Sequence, residues 1–321
     1  MGRYKSMMGR ELATVALAMA IGLTACSRPT QTACPTPTET KTAANLTHSD
    51  GPKEASSSKP RQRVDLEASE RNVFSQAGED GVLEKIFDII EPTTKYAVEF
   101  GAGDGIKDSN TRNLILNKGW SGFQIEGDAA LASKLATNYA DLPRVKTLQA
   151  WVYPGNIELL FEENGVPPDL DLLSIDIDSN DWYVWRAIRD YRPKVVLIEV
   201  NPLFPPPQRM VIDFNPNAYW DGTDYYGASL QSMYELGKKK GYELVYHTKF
   251  SNDAIFVDAK YFDRFGIDDN SPAKLFHSPT NGWWEHINRA PQGRGNTPFK
   301  PGNDVLHVGS KTIPKKFRVD R

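Results

Sequence analysis

Short apolar runs alternate with amphipathic stretches along the middle of this chain. Residues 82–90 place apolar side chains at 82, 83, 86, 87, 89 and 90, the spacing of one helix face, and Pro92 ends the pattern. The polar cluster just before it, residues 75–80, supplies a helix start and negative charge for the dipole. Residues 96–100 form a short run of β-formers that stops at glycine, which predicts a buried parallel strand. The same reading predicts further strands over 122–126, 145–148, 170–177 and 194–200. Helices are predicted over about 109–118, 129–139, 156–163 and 183–189, and the aromatics Trp182, Tyr183 and Trp185 are expected to pack the last of these against the sheet. Strand and helix in strict alternation argue for a parallel sheet with helices on both faces.

The pattern changes after Val200. Residues 202–226 are dense in proline and aromatics and predict an insertion without regular elements. A helix over 227–240 follows, and then two strands, 242–247 and 254–258, joined by a short polar loop. That loop permits an antiparallel hairpin and is too short for a helical crossover. Residues 271–321 are rich in Pro, Gly and Lys around Trp283 and Trp284, and the pattern assigns them no role.

The first part of the chain reads differently. Residues 1–11 carry Arg3, Lys5 and Arg10, and residues 12–23 are apolar, the length of a signal h-region and too short to span a bilayer. The run ends in Leu23-Thr24-Ala25-Cys26. This order of basic, apolar and small-Cys elements resembles the leader and lipobox of bacterial lipoproteins, which implies cleavage before Cys26 and lipidation on it. The expected location is the cell envelope, on the periplasmic face or at the outer membrane, since Ser27 follows the cysteine. Translation from Met19 would instead leave a cytoplasmic protein. Residues 27–70, rich in Pro, Thr, Ser and Lys, bury too little apolar surface to fold alone and predict a linker. The domain is expected over 71–265, with a C-terminal extension over 266–321.

The chain has 321 residues and a net charge of −3, which gives no argument for a nucleic-acid partner. Its two cysteines, Cys26 and Cys34, lie near the N-terminus, so the folded part has no disulfide framework and no thiolate zinc site.

Candidate chemistry gathers at residues 96–105, YAVEFGAGDG. Glu99 leads Gly101, Gly103 and Gly105 at the end of the first strand. Glycine lets a backbone approach a ligand closely, and open α/β sheets bind at the carboxyl ends of their strands. The spacing fails the dinucleotide fingerprint, because Ile106 stands where the third glycine is needed. It fails the P-loop too, because no Lys-Ser/Thr pair follows the glycines. Glu99 leading the glycines, with Glu126 ending the next strand, resembles the first two motifs of class I S-adenosylmethionine-dependent methyltransferases. Ser75-Gln76 to Asp80, Ser109-Asn110-Thr111, residues 119–128 (GWSGFQIEGD) and residues 173–178 (LSIDID) resemble the FkbM type in particular.

That resemblance covers roughly residues 72–260. It implies a Rossmann-like α/β fold, a seven-stranded sheet whose last two strands form an antiparallel hairpin. It implies S-adenosylmethionine as cofactor and methyl transfer, expected at oxygen of a small-molecule or glycan hydroxyl. Glu99, Gly101, Gly103 and Gly105 would form the methionine-side turn. Glu126 would bind the ribose, Trp151 or Val152 would lie near adenine, and Asp176 would bind cofactor and act beside the transferring methyl. An export leader is unusual for such an enzyme, so a membrane-tethered binding protein that kept the fold without the chemistry is the rival reading.

Other patterns in the chain compete with this one. Asp176, Asp178 and Asn180 match alternate ligands of a calcium loop, but Asp181 and Ala187 occupy positions that need Gly and Glu, so an EF-hand is rejected. No metal is expected. Helix capping explains Asp178 to Asp181, and a divalent ion held with Glu199 is the alternative. His286 has no histidine partner at helical spacing. His247 reads as a surface histidine or, less simply, a base. Tyr219, Trp220, Tyr225 and Tyr226 read equally as loop packing or an acceptor pocket.

Overall fold

The computed structural model describes residues 63–218, 220, 223–250, 252–279 and 300–301. Every described residue belongs to one compact unit. The leader, Cys26, the linker as far as residue 62, Tyr219, Trp283, Trp284 and His286 lie outside the described residues. Among the described residues, no helix is long and apolar enough to cross a membrane.

Five strands run parallel: β1 (Tyr96–Phe100), β2 (Ser121–Glu126), β3 (Val145–Gln149), β4 (Leu172–Ile175) and β5 (Val195–Glu199). A two-residue strand, β6 (Met210–Val211), lies apart and pairs with β9 (Lys300–Pro301). The hairpin β7 (Tyr242–His247) and β8 (Asp253–Asp258) completes the main sheet, with β8 antiparallel to both β5 and β7. The order is β3-β2-β1-β4-β5-β8-β7. This is the expected Rossmann-like class I methyltransferase sheet of seven strands, the last two forming an antiparallel hairpin.

Both faces are covered, and the period of two in each strand shows how. Ala97, Leu172, Val195, Leu197, Ile255 and Val257 pack with α1 (Glu79–Ile90), α2 (Arg112–Lys118) and α3 (Ala129–Asn138). Their neighbours Val98, Leu173, Val196, Ile198, Ala254 and Phe256 pack with α4 (Ile157–Asn164), α5 (Asp181–Ala187) and α6 (Leu230–Lys240). Trp185 of α5 meets Phe256 at 5.0 Å and Tyr242 at 5.9 Å between ring centroids, which seats that helix on the sheet.

Several boundaries differ from the sequence reading. The first helix starts at Glu79, and Asp80 turns back to accept from the amides of Val73, Phe74 and Ser75 at 2.7–2.8 Å, closing the preceding loop. Order begins before residue 71: Leu66 is buried beside α1, and the Val64 amide donates to the Phe265 carbonyl at 3.0 Å. An apolar residue inside a polar stretch is enough to anchor that end. The insertion after Val200 does contain a regular element, because β6 finds its partner in the distant β9. On either side of residue 265, two short helices, α7 (Ala259–Phe262) and α8 (Pro272–Leu275), bracket a segment that ends packed on β7.

Candidate functional site

A cavity of about 360 Å³ opens at the carboxyl ends of β1, β2 and β4, lined in part by Gly101, Gly103, Glu126, Trp151, Asp176 and Asp178. Larger hollows of about 550 and 610 Å³ lie elsewhere, one against β7 and one between α4 and α5, away from these strand ends.

The glycine turn is built by close packing. The amides of Gly101 and Ala102 both donate to the Ile125 carbonyl at 3.1 Å, tying the turn to β2. A Cβ on Gly101 would lie 1.5 Å from the Asp176 carbonyl oxygen, so the turn and the end of β4 can touch only through glycine. Gly103 has φ of +55° and open space where a side chain would be. Its bare backbone therefore faces the cavity.

Glu126 lines the cavity, and its carboxylate is fixed from behind. Oε2 accepts from the Gly103 amide at 2.8 Å and Oε1 from the Asp128 amide at 2.7 Å. Each oxygen keeps a further lone pair. Asp128 in turn caps α3, accepting from the amides of Ala130 and Leu131 at 2.9 Å. Trp151 is 55% exposed, and its ring covers the Gly127 backbone so closely that a Cβ there would meet the ring at 2.6 Å. A flat aromatic face thus stands next to a carboxylate held in one orientation.

Glu99 and Gly105 are placed differently from their expected role. Glu99 is buried, and its two oxygens accept from the Ser109 hydroxyl (2.7 Å), the Asn110 amide (2.7 Å) and the Thr111 hydroxyl (2.6 Å). Burial pushes its carboxyl upward, and these donors oppose the shift. It holds the loop before α2 and does not line the cavity. Gly105 faces α3, where a Cβ would press on Leu135 and Tyr139 at 2.5–2.6 Å. The sequence motif is one unit, but only Gly101 and Gly103 of it face the cavity.

Asp176 ends β4, its amide donating to the Phe100 carbonyl at 3.2 Å, and it lines the cavity. Burial, with the nearby carboxyls of Asp178, Asp181 and Glu99, pushes it well above the usual carboxylate range. Asp181 accepts from the amides of Ile177 (2.9 Å) and Ser179 (3.0 Å), which curls residues 177–180 under the cavity. Burial raises the Asp181 carboxyl to about 6 in spite of these bonds. The curl leaves Asp178 exposed with φ of +58°, a conformation uncommon outside glycine. The insertion is fastened here: Ser179 Oγ donates to the Ala218 carbonyl at 3.1 Å and Asn180 Nδ2 to the Asn215 carbonyl at 2.8 Å.

Three acids lie behind this floor, and the grouping of Glu79 and Asp253 with Glu199 emerges only in the fold. Antiparallel pairing of β5 with β8 sets Glu199 opposite Asp253. Glu79, the first residue of α1, is buried near Asp253; burial pushes both carboxyls up, and Glu79 raises Asp253 further while its hydrogen bond with Asp253 opposes the shift at Glu79. Strand periodicity marks Glu199 as a strand end, but only the register shows that Asp253 joins it. Tyr226 is buried close to Glu199, and burial with that negative charge keeps its phenol protonated. His247 is not a surface residue: it is fully buried, stacks on Phe276 at 5.3 Å and accepts at Nδ1 from the His277 amide at 2.9 Å. Its task is to seat the segment after α8.

No protein-family model matches the chain, and no curated protein sequence matches it. Solved structures do. The CMeT domain of the citrinin polyketide synthase is 15% identical over 56% of this chain and 51% of that one, with a TM-score of 0.37. The N-terminal domain of EvdMO1 with SAH bound is 12% identical over 58% of this chain and 82% of that one, with a TM-score of 0.39. The methyltransferase domain of bacterial CtHen1 is 13% identical over 55% and 96%, with a TM-score of 0.36. The chain spans about half the length of the polyketide synthase structure. At these values no residue role passes from those proteins to this one.

Proposed function

We propose that the chain is an S-adenosylmethionine-dependent methyltransferase acting on a hydroxyl of a small molecule or glycan. The observation that carries this reading is Glu126, whose carboxylate is aimed into the cavity by the amides of Gly103 and Asp128. Two oxygens with free lone pairs suit the paired hydroxyls of a ribose. Trp151 offers a stacking face for adenine beside it. The bare Gly101–Gly103 backbone leaves room for the methionine portion, and the acids at the end of β4 favour its positive sulfonium and ammonium groups.

Bound there, the cofactor would supply an electrophilic methyl group on sulfur, with a neutral thioether as its leaving group, and Asp176 would stand at the cavity wall where an acceptor hydroxyl could approach. The acceptor's proton passes to Asp176, whose raised proton affinity suits that task. Alignment contributes most of the acceleration.

Calorimetric titration of the full chain with S-adenosylhomocysteine tests the reading. Binding that is lost in Glu126→Ala supports it. No heat of binding at millimolar ligand, or binding indifferent to Glu126, overturns it. The leader supports a lipid-anchored location through Cys26, and mass spectrometry of the native N-terminus checks this: an acylated Cys26 is expected, and a terminus at Met19 refutes it.

A further inference from the structure

We propose that Asp176, Asp178 and Glu199 bind one divalent metal ion of the hard, oxygen-seeking class, magnesium, calcium or manganese. One carboxylate oxygen from each of the three lies within 4.8 Å of the others. Separations of that order suit three ligands around one ion with oxygen bonds of about 2.0–2.6 Å.

Proximity alone would not distinguish a site from a crowded acidic patch. Glu199 does. It is only 8% exposed, and its Oε2 is buried without a hydrogen-bond partner. Buried carboxylate oxygens are almost always satisfied, because leaving one bare forfeits its hydration for nothing. Several neighbouring acids follow that rule. Glu99 is met by a loop, Glu126 and Asp181 by amides, and Asp171 at the far end of β4 by Lys194 at 3.1 Å. Glu79 and Asp253 each carry one bare oxygen, and they lie close enough to share a proton that satisfies both. Glu199 has none of these solutions. Among the described residues, neither it nor Asp176 nor Asp178 makes an ion pair. A cation between the three supplies the missing partner and removes their mutual repulsion in one step.

The donor set chooses the metal. Three carboxylates without thiolate or imidazole favour magnesium, calcium or manganese over zinc and copper. Asp176 and Asp178 line the cavity while Glu199 closes the site from behind, so the ion would sit at the cavity wall with positions left for water or a ligand oxygen. The site does not depend on the methyltransferase reading. If both hold, Asp176 serves as a metal ligand and not as a free base.

Manganese is the probe, followed by electron paramagnetic resonance of the free ion during titration into the metal-stripped full chain at pH 7.5, with no other ligand. One manganese per chain is expected, competed by magnesium. Glu199→Gln keeps the shape of the residue and should weaken binding by more than about tenfold, the low end of what losing even a supporting group costs a metal site. Asp178→Asn, at an exposed position that does not threaten folding, should do the same. Absence of binding at millimolar manganese, or binding unchanged in both variants, overturns the site. Separate titration with S-adenosylhomocysteine keeps the two readings apart: failure there with manganese still bound removes the enzyme reading and leaves the metal site standing.

Discussion

The two ends of β4 each carry an acid, fully buried at one end and half-buried at the other, and they are treated in opposite ways. At the entry end, Asp171 is fully buried and accepts from the amides of Thr93, Thr94 and Lys95 and from the Thr94 hydroxyl, at 2.7–3.0 Å. Lys194 pairs with it at 3.1 Å and also donates to the Glu91 carbonyl at 2.7 Å and to the Thr93 hydroxyl. That end ties α1, β1, β4 and β5 together. At the exit end, Asp176 meets Asp178 and Glu199 with no counter-charge among the described residues. The saturated acids hold the sheet, and the unsaturated ones are those assigned to the proposed metal site. The same distinction separates Glu99, consumed by its loop, from Glu126, whose amide bonds leave its outer lone pairs to the cavity.

The contrast can be broken by experiment. Asp171→Ala should cost about 3–5 kcal/mol of stability, because it leaves Lys194 buried without its charge partner. Urea unfolding measures this, and a loss below about 1 kcal/mol would dissolve the distinction between the two ends. Trp151→Ala should leave the unfolding curve unchanged, since the ring is 55% exposed. It should instead lower affinity for S-adenosylhomocysteine by about 1–3 kcal/mol, the usual worth of a base stacked on an aromatic ring.

The exit end should also show in the pH dependence of stability. Burial holds the carboxyls of Asp181 and Asp253 above their unfolded values, Asp181 at about 6 against 3.8. Over that window the folded chain binds more protons than the unfolded one. Stability therefore falls as pH rises from about 4 through 6, with a slope of up to about 1.4 kcal/mol per pH unit for each proton. Thermal melts in chelator across this range test the sign, and added manganese should flatten the slope at its upper end. Smallest of all, Glu199→Gln should stabilise the metal-free chain by about 1 kcal/mol or less by removing one charge from the cluster. A clear destabilisation would show that Glu199 has a structural partner.

Much of the architecture was legible in the chain. The helix spacing of residues 82–90, the buried runs at β1, β4 and β5 and the short loop of the final hairpin are local signals, and local periodicity survives into the structure because each element must bury one face. The resemblance pointed to the correct sheet, and Glu126 could be picked out because it ends a strand next to a glycine turn. Other features depended on contacts between distant residues. That Glu99 would be consumed by residues 109–111 and that Gly105 would face α3 follow from packing across the turn, which no spacing rule encodes. Asp253 reaches Glu199 only because β8 pairs antiparallel with β5. His247 looked superficial because it ends a strand, and it is buried because the segment after α8 returns to cover it. Sequence determined which elements form and which face each buries, since that is decided within a few residues. Tertiary structure alone decided which acids keep a partner and which do not, because satisfying a buried carboxylate depends on groups brought from elsewhere in the chain.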